Sequence, residues 1–369
     1  MSEPEEDRGQ RGQHGGVDGR SGRMGRLLAE VRDAVSVRTL LLIVGVLLLQ
    51  LGFILSYVGA FHDPSPHRLP VRVVGPQGAA ERMADRLDEL PDRPLRASAA
   101  HSEPAARAEL TEGGTAAVFV LRPAEQRDRL LVATAGGSAK AGAIEEVLRQ
   151  VQASRQRGLA VDDVVPVQEG DSRGLTGFYL VVGWTVGGYL VASLLGVARG
   201  ARPANPGRAV IRLVSVLVYA IVSGVGGAVV VGPLLGALTG HLLELWWLGA
   251  LLVLAAATVT MAFQVLFGVL GIGLTVLLFV VLGNPSAGGA YAPELLPGFW
   301  RAISAALPNG AGTDAVRNIV YFGAHGIAVD VLVIAAYALG GAVVALIGAV
   351  VRGRRASADS AGSDAERPS

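Results

Sequence analysis

Residues 245–282 read LWWLGALLVLAAATVTMAFQVLFGVLGIGLTVLLFVVL and contain no charged side chain. The hydrocarbon core of a bilayer is about 30 Å thick, and a helix needs roughly 20 residues to cross it. The stretch is therefore long enough to cross twice, and we predict transmembrane helices over 245–263 and 265–283. The turn between them is expected near residues 263–264, where polarity rises.

Four further apolar runs have the length of a membrane span. A lipid-embedded segment must satisfy its own backbone hydrogen bonds, so each run is predicted to be a helix. The first run lies behind a long N-terminal segment and exceeds the 7–15 residue core of a signal peptide, which favours a retained anchor. The chain is thus predicted to be an α-helical polytopic membrane protein with six transmembrane helices, of which these four runs cover 39–59, 175–197, 209–238 and 327–351.

Composition supports this class. The chain is 51% hydrophobic and only 17% charged, whereas an ordinary soluble domain has about 25% charged residues. The composition therefore argues against a purely soluble enzyme. The 32 basic residues nearly cancel the 31 acidic ones, so charge gives no support for nucleic acid as a partner. Cysteine is absent, which rules out disulfides, a thiolate nucleophile and a cysteine zinc site.

Arginine placement predicts the orientation, because loops on the cytoplasmic side of a membrane carry an excess of Arg and Lys. Arginines cluster before the first predicted span, after the second and after the sixth. With six crossings all three clusters fall on one side, so both termini are predicted to be cytoplasmic in a bacterial plasma membrane. Segments 60–174 and 284–326 are then extracytoplasmic. The three clusters are Arg20, Arg23, Arg26, Arg32 and Arg38; Arg199, Arg202 and Arg208; and Arg352, Arg354 and Arg355.

The two ends lack an apolar period. Residues 1–24 and 352–369 are predicted to be disordered cytoplasmic tails. Within 25–38, apolar residues recur at helical spacing between arginines, which predicts an amphipathic helix on the inner leaflet. A plain extension of the first span is the alternative.

Residues 60–174 form the largest segment between spans and are predicted to be an extracytoplasmic α/β domain inserted between the first two. Strand-like and helix-like stretches alternate along it, as in a small α/β fold. About 110 residues suffice for one modest core, so the domain is expected to fold on its own. The predicted strands are 71–74, 115–121 and 129–134, and the predicted helices are 79–90, 104–112 and 138–155.

No catalytic motif is present. The run Gly136–Lys140 has glycines and a lysine at the wrong spacing for a phosphate-binding loop, so the chain cannot hydrolyse ATP by that route. His62, His67 and His101 with Asp63 could bind a metal, but loop histidines are more often simply solvated. We therefore predict no enzyme activity, no cofactor and no metal site.

Small residues at four-residue spacing allow helix backbones to approach closely in lipid. Such spacing predicts helix packing, within the chain or between two copies. The loop 198–208 reads ARGARPANPGR, and its arginines either anchor topology or form a docking surface for a cytoplasmic partner. The candidate packing residues are Gly183, Gly187, Gly232, Gly236 and Gly240, and the candidate docking residues are Arg199, Arg202 and Arg208.

The predicted spans contain no central acidic residue, which argues against a proton- or sodium-coupled pump. Asp330 lies about one turn into the last span, where it can pair or hydrate at the boundary. The segment 284–326 is rich in turn residues and in aromatic residues suited to the membrane interface. We predict a gate region on the extracytoplasmic side, formed by this segment and by the start of the last span. Its candidate residues are Asn284, Pro285, Pro297, Trp300 and Asp330.

The chain resembles the type-2 ABC exporter permeases and the related YhgE/Pip-like membrane proteins of actinobacterial type. The resemblance covers roughly residues 25–355 and is sharpest over 283–321. It is carried by DSRGL at 171–175 leading into Phe178 and Tyr179, by GNPSAGG at 283–289 with PELLPGFW at 293–300, and by LPNGAG at 307–312 with Arg317 and Asn318.

The resemblance implies a function. In the exporter family two permeases pair around a lipid-accessible path, and separate ATPase subunits dock on cytoplasmic loops, here Arg199 to Arg208. It therefore predicts the permease subunit of an ATP-driven exporter of an amphiphilic drug, lipid or glycolipid, with a homodimer or heterodimer, membrane lipid and an ATP-binding subunit as partners. The alternative is a non-transport envelope protein whose outer domain acts as a receptor or scaffold.

Overall fold

A computed structural model describes residues 37–199 and 206–365 of the chain. The chain divides into two compact units, Met1–Gly52 and Phe53–Ser369. In the first unit the described residues form the N-terminal part of one apolar helix. The predicted tail 1–24 and nearly all of the predicted interfacial helix 25–38 lie outside the described residues.

Among the described residues, one long apolar helix comes first, a mixed sheet with three short helices follows, and the remaining helices come after it. The helices are α1 Val37–Phe61, α2 Ala79–Asp88, α3 Glu103–Thr111, α4 Ser138–Ser154, α5 Thr176–Arg199, α6 Pro206–Val229, α7 Leu242–Phe267, α8 Leu270–Val276, α9 Gly298–Ser304, α10 Pro308–Tyr321 and α11 Ala328–Ala365. The strands are β1 Leu69–Val74, β2 Leu95–Ala99, β3 Ala117–Val120, β4 Arg127–Val132 and β5 Gly158–Asp163.

Five described helices are long and apolar enough to cross a membrane: α1, α5, α6, α7 and α11. The segment predicted as the fifth span, 265–283, falls mostly in a shorter apolar helix, Leu270–Ser286, whose middle part Leu277–Gly283 is π-helical. The turn predicted at 263–264 is wrong, because α7 continues to Phe267 and the chain reverses at Gly268, which has a φ of +65°. Gln264 fits inside the helix because it is buried against Gly196 rather than exposed to lipid.

Two further boundaries differ from the prediction. The predicted span 209–238 is helical only to Leu234, where α6 ends in a π-helical turn that contains Pro233. The last helix runs on to Ala365, so the predicted disorder from residue 352 is wrong for 352–365, and 366–369 lie outside the described part. The apolar part of that helix ends at Val351 as predicted; the polar remainder continues the same backbone hydrogen bonding.

The small sheet has the strand order β2-β1-β3-β4-β5. β1 is parallel to β2 and to β3, β4 is antiparallel to β3, and β5 is parallel to β4. Helices α2 and α4 cover one face, where Leu69 and Val71 meet Met83 and Ile144. Helix α3 covers the other face. The α/β character is as predicted, but the two edge strands, β2 and β5, were not predicted from the sequence.

The core of the α/β domain is completed by residues far along the chain. Leu295 is buried with the α2 and α4 side of the sheet. Phe322, which is 4% exposed, is buried with Val118, Val120 and Leu131 on the α3 side. Both faces of the sheet therefore take an apolar side chain from the segment 284–326.

Helix α7 is the central apolar helix, with 67% of its most apolar stretch buried. It packs against α5, α6 and α11. The indole of Trp184 on α5 fills the space left by Gly227 and Gly249, and its Nε1 donates a hydrogen bond to the carbonyl of Ser223 at 3.1 Å. A Cβ at either glycine would overlap the indole ring.

Candidate functional site: the junction of the sheet and the helices

The segment 284–326 is joined to the α/β domain by backbone hydrogen bonds. The amide of Ser65 donates to the carbonyl of Leu295 at 3.1 Å, and that of His67 donates to the carbonyl of Glu294 at 3.0 Å. Both acceptors lie in the short helical turn Pro293–Leu295. The turn places Leu295 in the domain core, so the junction is fixed by backbone pairing and by burial together.

A second link joins the domain to α10 through Asp171. Its Oδ1 accepts from the amide of Thr176, the first residue of α5, at 2.9 Å. Its Oδ2 accepts from the hydroxyl of Tyr321 at 2.8 Å. Burial raises the pKa of Tyr321, and the bond to Asp171 raises it further. The phenol is therefore a permanent donor, and one carboxylate ties the start of α5 to the end of α10.

A third link reaches the loop that follows α6. The side-chain Oε1 of Gln168 accepts from the amide of Thr239 at 2.8 Å, and its Nε2 donates to the carbonyl of Thr239 at 3.4 Å. Gly170 lies against Ala237, where a Cβ would come within 2.7 Å of the Ala237 Cα. The loop 235–241 thus lies at the same end of the helices as the domain.

A cavity of about 370 Å³ lies inside this junction, between the sheet ends and the segment 293–322. It carries three cations and two anions. Lys140 pairs with Glu294 at 3.5 Å, and Arg317 pairs with Asp314 at 2.9 Å, which leaves the charge of Arg301 in excess. The charged lining residues are Lys140, Arg301, Arg317, Glu294 and Asp314.

The charges of the cavity keep Glu294 ionised. Burial by itself would raise the pKa of this carboxyl, but the charge and the hydrogen bond of Lys140, together with Arg317, hold the pKa below its usual value. Its Oε2 is buried and has no hydrogen-bond partner among the described residues. The cavity therefore contains an acceptor that can receive a donor from a bound molecule.

Two carbonyls in the π-helical stretch Leu277–Gly283 are used by side chains from elsewhere. The carbonyl of Phe279 accepts from the Nδ2 of Asn309 at 3.1 Å, and that of Val281 accepts from the hydroxyl of Ser56. A π-helix loosens the regular hydrogen-bond ladder and frees such acceptors, and it often does so at functional sites. The same Nδ2 of Asn309 donates to the Oδ1 of Asn284 at 2.8 Å.

The structure brings only part of the predicted gate region together. Asn284 is held by Asn309, and Pro285 beside it is buried. Pro297 precedes α9, and Trp300 on that helix packs with Ala60 and Leu296. Asp330 forms no hydrogen bond or ion pair with any of the other four within the described residues.

An apolar groove of about 380 Å³ lies between α7, the π-helical stretch and α11. Where α7 and α11 touch, a Cβ on Gly341 would lie 2.6 Å from the Val259 amide nitrogen, whereas one on Gly340 would meet nothing within 4 Å. Among the described residues, no charged side chain lines the groove. The lining residues are Val259, Ala262, Phe263, Leu266, Leu278, Ala336, Tyr337, Gly340, Gly341 and Val344.

Two buried polar atoms in the long apolar helices α5 and α7 have no partner among the described residues, Ser193 Oγ on α5 and Gln264 Nε2 on α7. Gly196 lies one turn after Ser193 and packs against the Gln264 amide. An unsatisfied buried amide is costly in an apolar setting. Gln264 follows the groove residue Phe263 in sequence, but its amide faces Gly196 of α5 and does not line the groove.

The candidate docking loop lies mostly beyond the described residues. Arg199 is the last residue of α5, and Arg202 falls in the undescribed stretch 200–205. Arg208 is exposed in the first turn of α6. This end of α5 and α6 is opposite to the end where Gln168 and Thr239 meet.

The candidate packing glycines serve different purposes. Gly187 faces the Tyr219 hydroxyl of α6, whereas Gly183 is exposed with nothing near it. Gly232 lies in the π-helical turn near the Leu238 carbonyl. Gly236 and Gly240 lie beyond the helix with φ of +63° and +91°, so they form turns rather than helix contacts. Close approaches to the backbone of a neighbouring helix occur instead at Gly188 on Val253, Gly224 on Trp246 and Gly341 on Thr258.

Within 37–199 and 206–365, no group of three or more His, Asp or Glu side chains is arranged to hold a metal ion, so His62, His67 and His101 do not converge. The sequence offered little signal for the junction residues, because Asp171 and Gln168 bond to partners, Tyr321 and Thr239, that lie 150 and 71 residues further along the chain. Comparison with protein-family models, curated protein sequences and solved structures finds no match to this chain.

Proposed function

We propose that this chain is the membrane-embedded permease subunit of an ATP-driven exporter that moves an amphiphile. The apolar groove between α7, the π-helical stretch and α11 is the observation that carries the proposal. Its volume and uncharged walls suit an acyl chain or a similar apolar group.

Contacts at the ends of the helices support six crossings with both termini in the cytoplasm. Gln168 before α5 bonds Thr239 after α6, so α5 begins and α6 ends on the domain side. Helix α7 starts there and leads away. The Leu270–Ser286 segment must return, because Asn284 and the turn Pro293–Leu295 lie at the domain again. Its length of about 25 Å is at the lower limit for a span.

The same contacts support an extracytoplasmic domain. If the arginine-rich ends of α5, α6 and α11 face the cytoplasm, the sheet and the segment 284–326 lie outside together in the bacterial envelope. The arginine-rich loop that contains Arg199, Arg202 and Arg208 is then the surface available to a separate ATP-binding subunit. The proposal needs that subunit, because the chain has no phosphate-binding loop of its own.

Photolabelling tests the groove. Membranes containing the full chain would be incubated with a lipid whose acyl chain carries a diazirine, irradiated and digested. We expect labelled peptides from Leu266 and Leu278, and a several-fold loss of label in Gly340→Leu, which places a side chain in the groove at a position where a Cβ meets no atom within 4 Å. The matched control is Gly226→Leu, an exposed glycine on α6 that also has nothing within 4 Å. Equal labelling of the two variants would refute a role for the groove.

Co-purification tests the ATPase partner. The full chain would be isolated from its native membranes in mild detergent, and the attached proteins would be identified by mass spectrometry. We expect an ATP-binding subunit that is lost in the triple variant Arg199→Gln, Arg202→Gln, Arg208→Gln, with topology unchanged by protease protection. Recovery of the chain without any ATP-binding protein would reject the exporter.

One observation favours a second candidate, a non-transport envelope protein whose outer domain is a receptor or scaffold. The charged cavity in the junction has an excess cation and an unpartnered Glu294 oxygen, features that suit a polar ligand from outside. This alternative expects labelling and co-purification to fail while a soluble ligand protects the junction from hydrogen exchange.

A further inference from the structure

The α/β domain has a second cavity, at the end of the strands that lies opposite the junction. β1 and β3 are parallel neighbours, and their amino ends face the segment 293–322 through Ser65, His67 and Thr115. Their carboxyl ends lie about 20 Å away across the strands. A cavity of about 310 Å³ opens there, lined by Leu121 and Pro123 after β3 and by Asp128 in β4.

The strand order reverses between β1 and β3, which makes the carboxyl ends of these two strands a topological switch point. From β1 the chain crosses to β2 through α2, and from β2 it crosses back past β1 to β3 through α3. Helices α2 and α3 therefore cover opposite faces of the sheet. In open α/β sheets, ligands bind in the crevice outside the carboxyl ends of the strands where the order reverses.

Four arginines line this cavity. Arg82 and Arg86 are four residues apart on α2 and share the face that also presents Met83. Arg155 and Arg157 follow the end of α4. Against these four positive charges stands one carboxylate, Asp128, so the lining has a net charge of +3.

Asp128 positions two of the arginines. Its side chain is 2% exposed, and it accepts from Arg157 Nη2 at 2.8 Å and from Arg155 Nη1 at 3.4 Å. Arg157 Nη2 also donates to the carbonyls of Arg122 and Glu125. Gln152 Nε2 and the amide of Arg122 also donate to Asp128, at 2.7 Å and 2.8 Å. The guanidinium groups are therefore held in place by a buried carboxylate that they more than neutralise.

The other two arginines have no partner among the residues that the structure describes. Neither Arg82 nor Arg86 forms a hydrogen bond or an ion pair within the described parts of the chain, and both are exposed. A Cβ at Gly78 would lie 3.1 Å from Arg82 Nη1, so that guanidinium lies back over the loop between β1 and α2. Unpaired guanidinium forks that face one cavity match the paired oxygens of a phosphate.

We propose that this cavity, the arginine pocket, binds a small organic phosphate in its dianionic form. The lining keeps a net charge of +3 after Asp128 is counted, which is more than the single negative charge of a monocarboxylate ligand would neutralise. The cavity volume is also larger than a bare inorganic ion needs. The cavity lies at the end of the sheet that points away from the long apolar helices. This position favours a ligand in solution over the headgroup of a lipid in the same membrane. The site is independent of transport and of the groove.

Isothermal titration of the full chain in dodecyl maltoside, which contains no phosphate, tests this pocket. The probes are glycerol 1-phosphate and inorganic phosphate, with succinate as the dicarboxylate comparison. We expect saturable binding of glycerol 1-phosphate that weakens by about tenfold or more in Arg82→Gln/Arg86→Gln. The matched control is Arg96→Gln/Arg107→Gln, which removes two exposed arginines of the same domain outside the pocket.

Each other outcome overturns the proposal. No saturable binding of either phosphate removes the site. Equal weakening in the two double variants shows attraction by bulk charge only, and equally tight binding of succinate shows that phosphate is not selected. Binding to vesicles of phosphatidylglycerol without binding to the soluble probes assigns the pocket to lipid headgroups. Because Arg82 and Arg86 are exposed, thermal unfolding of the variant is expected to match the wild type.

Discussion

At Gly249 the helical part makes room for the Trp184 indole with a residue that has no side chain, whereas the α/β domain fills its interior with Phe119, Leu130 and Ile144. The buried polar groups differ in the same way. In the helices they are hydroxyls and amides, such as Thr260, whose hydroxyl donates to a carbonyl of its own helix. The domain instead buries the ionised Asp128.

This difference follows from the two surroundings. In lipid there is no hydrophobic drive between helices, so contact depends on close backbone approach and on hydrogen bonds satisfied within the helix. In water, burial of large apolar side chains stabilises the core, and a buried charge can be kept if several partners surround it. The comparison also has an exception, since Leu295 and Phe322 come from the segment between membrane helices and complete the domain core.

The largest effect is expected at the glycine that holds Trp184. Gly249→Leu would push a side chain into the indole, break its bond to the Ser223 carbonyl and separate α5 from α7. We expect loss of the monodisperse peak in size-exclusion chromatography and a red shift of tryptophan fluorescence. Gly226→Leu is the control, because it adds the same side chain at an exposed helix position. A well-folded Gly249→Leu protein would contradict the role given to glycine.

The next effect concerns the residue that crosses between the two parts. Phe322→Ala removes a side chain that is 4% exposed, and such truncations cost about 3–5 kcal/mol. We expect faster hydrogen exchange in β3 and β4 and unchanged exchange in α7. Phe299→Ala, at a position that is 58% exposed, should change neither. For the same reason residues 62–172 alone, which lack Leu295 and Phe322, should unfold at a lower temperature than the domain in the full chain.

The smallest effect of the three is expected at the buried charge. Asp128→Ala leaves Arg155 and Arg157 without their carboxylate, and we expect a loss of about 3 kcal/mol, the low end for breaking a buried pair, because both guanidinium groups are partly exposed. Asp85→Ala, an exposed acid on α2, is the control.

The same carboxylate sets an acid dependence. Burial by itself would raise the pKa of Asp128, but the hydrogen bonds from Arg157, the Arg122 amide and Gln152 outweigh it and leave the pKa below its usual value. A lowered folded-state pKa stabilises the domain fully above the unfolded value of about 3.9, and this stabilisation is lost as the pH falls through the folded value. Hydrogen exchange followed from about pH 5 down to about pH 2 should show it, and Asp128→Ala should remove that part of the slope.

The sequence by itself determined the membrane class, five of the apolar helices and the alternation of strands with helices. Those features depend on local composition and periodicity, which are readable without contacts. It failed at β2 and β5, where LRASA and GLAVDD have few residues with a preference for strands and owe their pairing to β1 and β4. It also misplaced the turn near Gln264, whose polarity is accommodated by burial against Gly196.

Only the tertiary structure decided where the chemistry lies. Asp171 meets Tyr321, and Arg82 meets Arg157 around one cavity, although each pair is far apart in sequence. Such sites arise when strand order and helix contacts bring distant residues together, and no local pattern encodes that order. Hydropathy sets which segments leave water, whereas the directions and contacts of the packed elements set which side chains face each other.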